Sequence, residues 1–129
     1  MSQIHQIYKI KSSPEKVWKA LTDSKEINDW GGGPAVMDDK VGTEFKFWGG
    51  DIFGKNKKVE PQKLLVQEWY GNKDWKSPSI VEFKISFDKN ITTVELNHNG
   101  LPETEIAEFA SGWKDFYMGP LKEYLEAEE

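Results

Sequence analysis

Two histidines, no cysteine and a few clustered carboxylates are the side chains of this sequence suited to proton, metal or nucleophile chemistry. His98 comes first, because it closes an alternating run of Thr92, Val94, Leu96 and His98 that shares one inward face. An imidazole there titrates near neutrality, so it could fix a polar group of a ligand or move a proton. It could equally tie the strand end to the turn that follows, and that is the expected role, since no partner base or acid is placed beside it. Asp29 and the pair Asp38 and Asp39 fall near a pocket mouth and read as surface loop acids. A metal centre would need His5, His98 and carboxylates to meet by chance, and without cysteine no thiolate ligand is available. Ser111 and Gly112 lie in a helical stretch, whereas a nucleophile elbow needs a strand-to-helix turn. The run Gly31-Gly32-Gly33-Pro34 lacks the lysine and hydroxyl of a phosphate loop and reads as a flexible joint. The catalytic and metal expectation is therefore none, and no cofactor is expected.

The other chemistry on offer is apolar recognition. Six Trp, seven Phe and four Tyr are many rings for 129 residues, and large rings either fill a core or line a pocket. The candidate ligand-binding set is Trp30, Phe45, Phe47, Trp69, Phe83, Trp113, Phe116 and Tyr117, with Ile85, Leu96 and His98 from the same inward faces. Each ring alone is explained by packing; as a group they suggest a lined cavity. Gly112 beside Trp113 removes a side chain and leaves room for a sheet or a ligand. Trp18, Trp48 and Trp75 read as rings that could sit outside and mark a protein contact.

Elements to position these side chains follow from periodicity. Residues 2–11 alternate as a strand, with Ile4, Gln6, Tyr8 and Ile10 on one face. Ser13 before Pro14 and Glu15 is a helix start, with Val17, Trp18, Ala20 and Leu21 as its buried stripe. Asp23 and Ser24 break it and cap a second short helix ending near Trp30. From Ala35 to Gly100 strand follows strand: Phe45 and Phe47 share a face, Gly49-Gly50 turns the chain, and a long strand runs from Asp51 to Glu60 with a bulge expected at Gly54. Leu65, Gln67 and Trp69 share the next face, then comes a polar loop from Gly71 to Pro78. Val81, Phe83, Ile85 and Phe87 alternate inward, and Asp88-Lys89-Asn90 makes a short turn. From Glu103 to Ala127 the pattern is helical, with Ile106, Phe109, Trp113, Phe116, Tyr117, Leu121 and Tyr124 on one face and a kink or loosened turn at Pro120. This order gives an α+β helix-grip fold: a curved antiparallel sheet of about seven strands wrapped around a long C-terminal helix, in one domain.

Charge narrows the partners. Acids outnumber Lys and Arg 22 to 17, giving −5, so no nucleic-acid face is expected. The cluster Lys55, Lys57 and Lys58 reads as a solvated flank. No apolar run is long enough to span a membrane, and the N-terminal residues lack the apolar stretch of a secretory leader, so a cytoplasmic protein is expected.

Several segments, taken in order, resemble one family. Residues 13–23, SPEKVWKALTD, are similar to the opening helix of the activator-of-heat-shock-ATPase-like family, within the START-like (SRPBCC, birch-pollen-allergen) superfamily. Val41-Gly42-Thr43-Glu44-Phe45, Gly49 to Gly54, Gln67-Glu68-Trp69, Asn97 to Pro102 with its His-x-Gly-x-Pro turn, and Gly112-Trp113 resemble later family marks. The resemblance implies the helix-grip fold, and in the wider superfamily the binding of lipids, sterols, polyketides or other apolar molecules. It also implies a co-chaperone domain as one kind of relative, although the eukaryotic co-chaperone carries a further N-terminal domain. The leading expectation is a non-enzymatic protein, monomer or weak dimer, holding a small apolar, lipid-like or aromatic molecule. The alternatives are a module that stimulates a chaperone ATPase, or a cyclase- or hydrolase-like enzyme using His98.

Overall fold

The structure, a computed structural model, describes residues 3–71 and 75–127; part of the expected Gly71–Pro78 loop and the start of the first strand's pattern lie outside the described residues. Strand β1 (Gln3–Ile10) leads into helices α1 (Pro14–Thr22) and α2 (Ser24–Trp30). The caps work as the residue types dictate. Ser13 accepts from the Lys16 amide at 3.2 Å with Pro14 in the first turn, and Asp23 accepts from the Lys25 amide at 3.0 Å. The Asp23 amide meanwhile bonds the Lys19 carbonyl at 2.9 Å, so one residue ends α1 and begins α2.

Five further strands follow: β2 (Glu44–Phe47), β3 (Ile52–Glu60), β4 (Leu64–Tyr70), β5 (Ser79–Asp88) and β6 (Ile91–Asn99). They form one antiparallel sheet in the order β1-β6-β5-β4-β3-β2. Six strands are present where about seven were expected, because the stretch after Ala35 contributes only an isolated bridge between Val36 and Lys46. Lys89 and Asn90 both take positive φ, 52° and 67°, which is the two-residue hairpin geometry matching strand twist.

Three further expectations change. The bulge in β3 lies between Asn56 and Lys58, not at Gly54. Gly54 serves close approach instead: a Cβ there would stand 1.7 Å from the Glu68 carbonyl oxygen. The glycine run 31–33 is a fastened strap and not a loose joint. Gly32 O accepts from the Trp48 amide and Pro34 O from the Gly49 amide, both at 2.9 Å, and a Cβ on Gly33 would meet Asn28 Oδ1 at 2.0 Å. Phe87, beside the hairpin turn, is 51% exposed.

The C-terminal helix is three pieces: α3 (Ile106–Gly112), a π-helical turn over Trp113–Met118, and α4 (Gly119–Ala127). Pro120 has no amide hydrogen to continue the α ladder, and the wide turn ends on a bond from the Gly119 amide to the Lys114 carbonyl. Only glycine fits at 119, since a Cβ would lie 2.1 Å from that carbonyl oxygen. The extra residue resets the helical phase. Trp113, Tyr117, Met118, Leu121 and Leu125 face the core, while Phe116 is turned out to 66% exposure. The unbroken stripe expected through Phe116 is therefore corrected at that residue.

Candidate aromatic groove

The inner sheet face and the helix meet over a ring cluster centred on Tyr117. The rings of Trp30, Trp113 and Phe47 lie 4.8, 4.7 and 5.5 Å from it, and Phe83 stacks beside it at 6.0 Å. Trp30, Phe45, Phe47, Phe83, Ile85 and Leu96 are all at or below 8% exposure and form this packed core. The protein's own rings thus fill most of the space between sheet and helix. Trp18, read as an outside ring, is buried too, and Trp48 and Trp75 are half-buried.

One groove, of about 410 Å³, lies open beside the first half of the helix. Of the candidate set it takes Trp69, Trp113, Phe116 and Tyr117. Three further contributors come from the chain on either side. Trp48 and Ile52 arrive from the β2–β3 turn, and Phe109 from α3 one turn before Trp113. Gly112 forms part of the wall, and nothing lies within 4 Å of where its Cβ would stand, so the missing side chain is open space. Asp51, Glu105 and Glu108 complete the lining with Gly71. The acids were missed because Asp51 reads as the start of a strand and Glu105 and Glu108 as the wet face of a helix. Only the fold brings those segments to one mouth.

His98 lies behind this wall, fully buried, in a closed chain of hydrogen bonds. Trp113 Nε1 donates to His98 Nδ1 at 3.0 Å, and an indole nitrogen can only donate. Nδ1 is therefore bare and Nε2 carries the proton, which goes to Ser79 Oγ at 2.7 Å. Ser79 in turn donates to the Trp69 carbonyl at 3.0 Å. Burial pulls the imidazole pKa down to about 3, and protonation would set two donors face to face at Nδ1. The ring joins the helix to β5 and β4, with both nitrogens occupied and no exposure to solvent.

A second buried polar chain holds the sheet's other half. Trp69 Nε1 donates to Gln67 Oε1 at 2.7 Å, Gln67 Nε2 to Asn56 Oδ1 at 2.9 Å, and Asn56 Nδ2 to the Asp38 and Lys40 carbonyls. Asp38 accepts from the Thr43 hydroxyl, which holds its carboxyl below the ordinary carboxylate range, while Asp29 pairs with Lys25 at 3.3 Å. Asp38 and Asp39 line a separate hollow with Trp18 and Met37, and none of these loop acids lines the aromatic groove. Tyr117 differs from all of these: its hydroxyl is buried with no hydrogen-bond partner among the described residues, and burial raises its pKa. No three His, Asp or Glu side chains gather as a metal site among the described residues, and no helix there is long and apolar enough to cross a membrane.

A curved six-stranded antiparallel sheet gripping a C-terminal helix, with a groove at the helix, defines a START-like helix-grip domain. The chain belongs to the family described as activator of Hsp90 ATPase homolog 1-like protein, whose model matches residues 11–126. The human activator of 90 kDa heat shock protein ATPase homolog 1 is 25% identical over 114 residues, which are 87% of this chain and 33% of that protein. The chain thus spans about a third of the length of the curated relatives it matches. The crystal structure of an HSP90 activator from Plasmodium falciparum shares the fold with a TM-score of 0.85 at 24% identity, covering 97% of this chain and 96% of that one. The solution structure of the Aha1 dimer from Colwellia psychrerythraea gives 0.83 at 29% identity, over 98% and 97% of the two chains.

Proposed function

We propose that this domain is a non-enzymatic binding protein that holds a small apolar ligand in the groove beside the C-terminal helix. One observation carries the reading: six aromatic rings, those of Trp48, Trp69, Phe109, Trp113, Phe116 and Tyr117, wall a space of about 410 Å³. That volume lies in the range of small-molecule sites, and a ring such as Phe116 left 66% exposed at the mouth gains by being covered. The test uses N-phenylnaphthylamine, a neutral apolar dye, titrated against tryptophan emission in the parent chain and in Gly112→Leu. A leucine at 112 projects into the groove and removes a helix glycine, so the variant keeps or gains stability. Saturable quenching in the parent, weakened at least about tenfold in the variant, is expected. No saturation, or equal affinity in both, overturns the reading.

Family membership favours a second reading, in which the domain contacts a heat-shock chaperone ATPase. Adding the chain to a purified Hsp90-type ATPase and following phosphate release tests it. Turnover unchanged at saturating chain would remove this reading.

A further inference from the structure

We infer that the groove selects ligands carrying an amine cation at one end of the apolar body, an inference that rests on the groove being a ligand site. Three carboxylates, Asp51, Glu105 and Glu108, stand among its rings, and among the described residues no Lys, Arg or His lines it. They converge from opposite sides: Asp51 from the turn before β3, Glu105 and Glu108 from the start of the C-terminal helix. Glu105 accepts from Trp75 Nε1 at 2.9 Å. Asp51 and Glu108 have no ion pair or hydrogen bond among the described residues; the lysines that pair do so elsewhere, on Asp29, Glu60, Glu68 and Glu82. Tyr117, at 1% exposure the most buried lining residue, keeps a hydroxyl without a partner.

Aromatic faces and unpaired carboxylates favour the same guest. A cation gains from the negative face of each ring and from each carboxylate, and both gains grow as water is excluded. An anion would meet like charge at the same mouth, and a neutral body would use the rings alone. The groove therefore favours an aromatic or aliphatic ammonium compound over a fatty acid or another carboxylate.

Three naphthyl probes of equal shape separate the cases: naphthylmethylamine, naphthylmethanol and naphthoate, measured by calorimetry against the parent chain, Gly112→Leu, and the double variant Asp51→Asn, Glu108→Gln. The ammonium compound is expected to bind about tenfold tighter than the alcohol, with naphthoate weakest. That preference should shrink in high salt and vanish in the double variant. Saturable binding of all three with no preference for the cation would overturn the charge inference and leave the groove an apolar site. Binding of none, or binding indifferent to Gly112→Leu, would overturn the groove itself and the inference with it.

Discussion

The buried imidazole of His98 makes stability depend on acidity in a calculable way. In the folded chain His98 stays neutral until about pH 3, whereas in the unfolded chain it protonates at the ordinary value of 6.5. Between these values the unfolded state binds the extra proton, so acid favours unfolding and His98 lowers stability as pH falls through 6.5. At about pH 4.5 the unfolded histidine is about two pH steps below its pKa, and at roughly 1.4 kcal/mol per step the loss is about 3 kcal/mol. That figure holds for any folded pKa well below 4.5, so it does not depend on the depth of the shift. His98→Asn supplies the control, since its side-chain oxygen can still accept from Trp113 and it does not titrate. Urea unfolding of both proteins at about pH 7.5 and about pH 4.5 cancels the carboxylates and His5, which the two share. The parent should lose about 3 kcal/mol more than the variant across that interval. Equal losses, within about 0.5 kcal/mol, would mean that the imidazole charges freely in the folded state, refuting the hydrogen-bond chain from Trp113 to Ser79.

Four substitutions test the backbone and the core. Gly119→Ala should cost about 2 kcal/mol or more in chemical denaturation, because its Cβ meets the Lys114 carbonyl, while Gly112→Ala should be neutral or add up to about 1 kcal/mol; equal effects would dispose of the π turn as the reason. Gly54→Ala should lower the unfolding midpoint by an equivalent of at least about 2 kcal/mol, since β3 and β4 must part to admit it. Tyr117→Phe, which deletes an unpartnered buried hydroxyl, should leave stability unchanged or raise it by about 1 kcal/mol; a clear loss would show that the hydroxyl has a partner.

Alternation and caps made most of the fold legible. Period-two runs placed Leu65, Gln67 and Trp69, and likewise Thr92 to His98, on the buried face where the structure has them. Ser13 and Asp23 announced the helix starts through their side-chain oxygens. The groove was less legible. Its helix side keeps a three- and four-residue spacing through Phe109, Gly112, Trp113 and Phe116, but that spacing does not tell that Phe116 stays exposed where Trp113 is buried. Pro120 signalled a loosened turn, yet proline alone does not say whether the ladder breaks, bends or widens. The lining acids gave no signal either, because convergence across the fold leaves no periodic trace in the chain.

The π turn divides the labour of one helix between two unequal tasks. Beyond it, Leu121 and Leu125 are buried where α4 packs on α1, α2 and β1. Before and within it, Phe109, Gly112 and Phe116 face the groove, and none of the three is buried. Phe109, Gly112 and Phe116 would meet a guest without belonging to the buried core, whereas Trp113 and Tyr117 serve both core and groove. Mutational drift at 109, 112 and 116 can rewrite what the groove accepts while the anchor stays untouched. A helix built this way is a changeable lining riveted to a fixed beam, which lets one scaffold explore many guests without passing through unfolded ancestors.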